Sequence, residues 1–132
     1  MTDTISKPKI LIVDDDHFLL NMYSVKFKNS GYEPVVASGA EEAYAKLKAG
    51  ENPEVIIFDI VMPGISGIEF LEKIKKEKLS GNSAVIALTN QDLSSDIEKA
   101  KSLGVDGYIV KASTIPSEVV EEVGKILKKK AR

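Results

Sequence analysis

Short, nearly unbroken apolar runs alternate with segments of helical spacing along this whole chain, and that alternation limits the folds open to it more than any other feature. KILIV (9–13), VIIF (55–58), AVIAL (84–88) and GYIV (107–110) are the clear runs, and YEPVVA (32–37) is a weaker one. A strand apolar at successive positions needs cover on both faces, the situation in parallel sheets whose crossover helices pack on either side. Repeated βα units therefore predict an α/β fold with a five-stranded, doubly wound parallel sheet. Pro34 lies inside the weakest run and has no N–H for a ladder, so that run predicts an edge strand.

The intervening segments carry helix start and stop signals. Residues 17–30 place Leu20, Tyr23 and Phe27 on one face, with Asp16 as the predicted N-cap and Gly31 as the stop. Ser38 with Glu41, Ser66 with Glu69 and Ser95 with Glu98 have capping-box spacing, and Gly50, Gly81 and Gly104 follow the three helices they open. A last helix is predicted from Pro116 towards Lys129, with Val119, Val120, Val123, Ile126 and Leu127 inward.

At 132 residues the chain fits one domain, with a core from about 9 to 128 and a polar extension at 1–8. It has no cysteine, no apolar leader and no run long enough to span a membrane, which predicts a soluble, cytoplasmic protein. Net charge is −2 with 29% charged residues of both signs, so no overall basic field is present to hold nucleic acid. The basic tail KILKKKAR reads as a last helical turn whose cations complement the helix dipole.

In a parallel sheet all strands end at one edge, where residues distant in sequence meet. Asp14, Asp15 and Asp16 follow the first strand, Asp59 the third, Thr89 the fourth and Lys111 the fifth. Acids, a hydroxyl and an ammonium are thus expected to converge. Clustered carboxylates repel one another and need a counter-ion; one lysine neutralises one charge, and hard oxygen donors with room for water suit Mg²⁺. A carboxylate so placed can attack phosphorus and form an acyl phosphate, whose charge the cation, Lys111 and Thr89 would stabilise.

Each residue also has a plainer reading. Asp59 alone can be a turn former, Asp16 a helix cap, Thr89 a satisfied strand-end hydroxyl, Lys111 a solvated lysine and Tyr108 a half-buried strand aromatic. His17 has neither a second histidine nor a cysteine to make a metal site, and reads as an exposed first-turn residue. Their joint placement at one sheet edge favours the chemical reading.

ILIVDDD (10–16), IIFDIVMPGISGIEFL (56–71), VIALTN (85–90) and GYIVKA (107–112) resemble, in order and spacing, the receiver domains of two-component response regulators. The resemblance runs from about residue 9 to 128. It implies a flavodoxin-like sheet of order 2-1-3-4-5 with five helices. It further implies Asp59 as phosphoacceptor, served by a sensor histidine kinase or a histidine phosphotransfer protein. Asp15 would bind Mg²⁺ directly and Asp14 mainly through water, with the Val61 carbonyl as a further metal ligand alongside Asp59. Thr89 and Lys111 would contact the phosphoryl group, and Tyr108 would be the switch aromatic that turns inward as Thr89 moves. Two positions depart from the pattern. Ala112 stands where receivers usually have proline, and a cis bond without proline costs about 3 kcal/mol, so the resemblance does not define the loop from 111 to 116. Asn90 is larger than the residue many members carry there.

These features describe a signalling phosphoacceptor that promotes its own phosphorylation and dephosphorylation, rather than an enzyme. Partner binding would switch on the face of the fourth helix, fifth strand and fifth helix, in a monomer or a phosphorylation-dependent dimer. No output module is expected, so the expected downstream target is another protein, without nucleic acid or membrane. Three rivals are weaker. A haloacid dehalogenase-type phosphohydrolase would carry a second Asp two residues after the first, where Val61 stands; Val61 also predicts a long-lived acyl phosphate, which Gln91 would partly offset. A flavin module would need a phosphate cradle where DDDHF lies. A phosphorylation-independent adaptor would not need Asp15, Asp59, Thr89 and Lys111 intact.

Overall fold

The computed structural model describes residues 7–89, 94–111 and 115–130. Along them run β1 (Lys9–Val13), α1 (His17–Asn29), β2 (Glu33–Ala37), α2 (Ala40–Lys48), β3 (Val55–Asp59), α3 (Gly67–Lys76), β4 (Ala84–Thr89), α4 (Ser94–Ser102), β5 (Gly107–Val110) and α5 (Pro116–Lys130). Every strand pair is parallel and the order is β2-β1-β3-β4-β5, as the alternation and the family resemblance predict. β2, the strand holding Pro34, lies at an edge and, among the described residues, pairs only with β1. β3 and β4 each run one residue further than their apolar runs, because the ladder continues through Asp59↔Leu88 and Thr89↔Val110.

Two buried layers form on opposite faces of the sheet, and the strand pleat sorts residues between them. Leu11, Val13, Ile56, Phe58, Val85 and Ala87 face α2, α3 and α4, meeting Ala43, Leu47, Phe70, Leu71 and Ala100. Ile10, Ile12, Val55, Ile57, Ile86, Leu88 and Ile109 face α1 and α5, meeting Leu20, Tyr23, Phe27, Val119 and Val123. Val120, Ile126 and Leu127 are only half-buried and lie along the margin of that second layer.

The ends of α1 and α3 follow their sequence signals. Asp16 accepts hydrogen bonds from the N–H groups of Phe18 and Leu19 at the start of α1, a cap worth about 1 kcal/mol. Gly31, at φ +94°, turns the chain from α1 into β2. Ser66 and Glu69 form the full capping box of α3. The other two boxes are not formed as predicted. Gly39 is the N-cap of α2, one residue later than expected, and this brings Glu42 rather than Glu41 onto the Ser38 N–H and hydroxyl. α4 already begins at Ser94, which puts Ser95 inside its first turn instead of at its cap.

Candidate functional site

Asp14 leaves the tip of β1, Asp59 ends β3 and Lys111 follows β5. Each stands two positions beyond an isoleucine of the α1/α5 layer (Ile12, Ile57 and Ile109), so the pleat directs all three side chains to the same side of the sheet. There they meet. Lys111 Nζ lies 2.9 Å from Asp14 Oδ2 and 3.0 Å from Asp59 Oδ2, with all three side chains almost wholly buried. The other carboxylate oxygens are held by backbone. Asp14 Oδ1 accepts from the Asp16 N–H at 2.9 Å, and Asp59 Oδ1 from the Val61 N–H at 3.2 Å.

Asp15 completes the cluster from the solvent side. One carboxylate oxygen from each of Asp14, Asp15 and Asp59 lies within 4.8 Å of the others. Asp15 is exposed and makes no salt bridge among the described residues, unlike the two acids held by Lys111. Three carboxylates face one ammonium, leaving a formal excess of two negative charges when all are ionised. Burial raises the Asp59 pKa above that of an ordinary aspartate, opposed by the charge and hydrogen bond of Lys111, reinforced by Asp14, and opposed again by the Val61 N–H. Burial pulls the Lys111 ammonium down, but its hydrogen bond to Asp14 and the charges of Asp59 and Asp14 outweigh this, and its pKa lies above that of an ordinary lysine. The lysine therefore stays charged.

These donors fit Mg²⁺. They are hard oxygens on three chain segments, close enough to share one ion, open to water on the Asp15 side, and short of positive charge by about one divalent ion.

The remaining candidates surround the cluster. Thr89 is buried at the end of β4, one register step beyond the Asp59–Leu88 pair. Val61 is exposed, with its N–H turned to Asp59. Tyr108 points away from the cluster, on the opposite pleat to Ile109 and Lys111; the residue is 38% exposed and its ring lies under the Lys101 ammonium. Asp16 is the helix cap and His17 is exposed, as the sequence predicts. Asn90, Gln91 and Ala112 lie outside the described residues.

Two residues at the site were not anticipated in these roles. Gly67, the first residue of α3, sits so close to the end of β3 that a Cβ there would overlap the Asp59 carbonyl oxygen and the Ile60 Cα; its N–H donates to the Ile60 carbonyl at 2.8 Å. The sequence signal was a glycine directly after a capping serine, where a side chain would ordinarily be tolerated. Tyr23, anticipated only as core, is buried with a phenol that feels the charges of Lys111, Asp14 and Asp59. Its signal was a polar tip on the inward face of the helix that begins at the pocket.

A family model described as "Response regulator receiver domain" matches residues 10–123. The chain is 33% identical over 121 residues to the alkaline phosphatase synthesis transcriptional regulatory protein PhoP of Bacillus subtilis (strain 168), covering 92% of this chain and 49% of the relative. It is 31% identical over 120 residues to the phosphate regulon transcriptional regulatory protein PhoB of Pseudomonas aeruginosa, covering 91% and 52%. The chain thus spans about half the length of these curated relatives. Among solved structures, the CheY-like receiver domain protein of Methanospirillum hungatei JF-1 superposes with a TM-score of 0.86 at 31% identity, covering 96% of this chain and 98% of that one. The response regulator protein TrrA of Thermotoga maritima, in complex with Mg(2+)-BeF, gives 0.77 at 34% identity, covering 90% and 98%. Family model, sequence relatives and fold agree, and the chain belongs to the response regulator receiver domain family.

Proposed function

We propose that Asp59 takes a phosphoryl group from a phosphohistidine on a sensor histidine kinase or phosphotransfer protein, and that the modified chain then changes partners. Receiver domains are signalling phosphoacceptors that take phosphate from histidine kinases and bind Mg²⁺ at an acidic cluster. The observation that carries the reading for these residues is the buried Lys111 ammonium between Asp14 and Asp59, with Asp15 beside them.

An Asp59 carboxylate oxygen attacks phosphorus, the phosphorus–nitrogen bond breaks, and the electron pair leaves with the imidazole, which takes up a proton. Asp15, Asp59 and the Val61 carbonyl would hold Mg²⁺ directly and Asp14 through water; bound there, the ion neutralises charge on the phosphoryl oxygens. Lys111 is already charged and aimed at Asp59, so its ammonium is ready for the same oxygens without a costly reorganisation. Thr89 follows the phosphate from the neighbouring strand tip. Phe18, Val61 and Ile115, all exposed at this end of the molecule, offer apolar contacts to a docking phosphodonor.

The aspartyl phosphate adds close to two negative charges to the pocket, and the response we assign is repacking of Tyr108 and a changed α4–β5–α5 face. That face would bind a protein target or a second phosphorylated copy. The test is phosphate uptake from a phosphorylated kinase or a small phosphodonor with Mg²⁺. Asp59→Asn should take up none; equal labelling of the variant would move the acceptor elsewhere.

A further inference from the structure

α1 begins at the pocket with Asp16 as its cap and runs away from it. Tyr23 lies nearly two turns in, 2% exposed, in the layer of Ile12, Ile57, Leu88 and Ile109. Asp14, Asp59 and Lys111 project on this same side of the sheet, each two positions beyond one of those isoleucines. A helical side chain leans towards its own N-terminus, which aims the phenol of Tyr23 back at the strand tips. The electrostatics agree. Burial raises the Tyr23 pKa, the charge of Lys111 opposes that rise, and Asp14 and Asp59 add to it.

Both partners have capacity to spare. Among the described residues the Tyr23 hydroxyl takes part in no hydrogen bond, whereas a buried tyrosine ordinarily finds one. Lys111 has three N–H donors and, among the described residues, directs two of them, at Asp14 and Asp59. A lysine is a point charge on a flexible stem, so its usefulness to a moving phosphoryl group depends on what else holds it.

We propose that Tyr23 is a positioning residue for phosphoryl transfer at Asp59: its hydroxyl oxygen reaches the third N–H of Lys111 through one water and steadies the ammonium as it turns from the Asp59 carboxylate to the phosphoryl group. This rests on the reading of Asp59 and Lys111 given above. A phenylalanine would fill the same space without supplying the acceptor.

The experiment compares loading from phosphoramidate with Mg²⁺ in the wild type, Tyr23→Phe, Lys111→Met and the double variant, with circular dichroism as the check on folding. Loss of one hydrogen bond to a charged group should slow Tyr23→Phe roughly tenfold, and the same change should have no further effect on Lys111→Met. In the resting protein, Lys111→Met should also move the ¹³Cζ resonance of Tyr23. Wild-type rates in Tyr23→Phe, or a loss of equal size in the Lys111→Met background, would overturn the proposal and leave the phenol as packing. If the wild type takes no phosphate, or Asp59→Asn is labelled as readily, the Asp59 reading fails instead. The resonance still decides the Tyr23–Lys111 contact in that case, and also if Tyr23→Phe does not fold: an unmoved ¹³Cζ signal rejects it.

Discussion

The ammonium of Lys101, on α4, stands 5.1 Å from the ring centroid of Tyr108, on β5, a residue that stays 38% exposed. An exposed cation–π contact of this kind is worth about 0.5–1 kcal/mol. Lys101→Gln should therefore raise the population of inward Tyr108 roughly two- to fivefold before any phosphorylation. With no tryptophan and four tyrosines in the chain, ring-labelled tyrosine NMR can follow this directly. An unchanged Tyr108 environment would mean that packing, rather than the cation, sets the ring's position.

Gly67→Ala tests the contact between the start of α3 and the end of β3. The added carbon would meet backbone, which cannot rotate aside as a flexible side chain would. Overpacking of this kind costs roughly 1–3 kcal/mol. The displaced atoms belong to Asp59 and Ile60, so Mg²⁺ affinity should fall along with the urea midpoint. A midpoint equal to that of the wild type would show that α3 shifts freely.

Lys111→Met and Asp59→Asn should change stability in opposite directions. Removing the lysine leaves two buried carboxylates without their shared counter-charge, a loss of about 3–5 kcal/mol for broken buried pairs. Removing the Asp59 charge relieves a group whose folded pKa is raised, so the ionised form is a burden present above that folded pKa and absent below the unfolded one. Asp59→Asn should thus be more stable than the wild type at pH 7, with the advantage shrinking as pH falls through the raised Asp59 pKa. Urea unfolding across that range measures it, and an advantage that grew on acidification would contradict the assigned shift.

Saturating Mg²⁺ should raise the unfolding midpoint, by about 2.7 kcal/mol of stability at a hundredfold excess over Kd, and a chelator should reverse it. Asp15→Asn should lose most of this gain while leaving the metal-free midpoint near wild type, since Asp15 is exposed and makes no salt bridge among the described residues. Binding should weaken on acidification sooner than an ordinary aspartate would allow, because protons compete for Asp59 at its raised pKa. A metal-induced shift that survives Asp15→Asn would place the ion elsewhere.

Val61→Asn should shorten the life of the aspartyl phosphate several-fold. Val61 follows Asp59 by two residues, is exposed, and has no group that can orient an attacking water; an amide there can. Release of inorganic phosphate after removal of the donor gives the rate directly. An unchanged decay would mean that access of water, rather than its orientation, limits breakdown.

Much of the site was legible because a parallel sheet converts sequence position into spatial position. Each of Asp14, Asp59, Thr89 and Lys111 lies at or beside a strand's last residue, and parallel strands finish at one edge. Helix starts were harder to read. The Ser38 box slipped by one residue onto Glu42, since Ser-x-x-Glu and its one-residue shift differ only in where the backbone first turns helical. Tyr23 was legible as an inward residue but not as a neighbour of Lys111, because helical spacing states which face a side chain occupies and not what stands opposite its tip.

The sequence by itself determined the βα alternation, the edge position of the Pro34 strand and the family, since each depends on local periodicity or on motif order. Tertiary structure alone decided that Lys111 bridges Asp14 and Asp59 instead of facing solvent, that α3 rests its first glycine on the Asp59 backbone, and that Tyr108 faces outward beneath Lys101. Those outcomes depend on distances between elements far apart in the chain. They are set by how closely helices pack on a twisted sheet and by the low-dielectric pocket that packing creates.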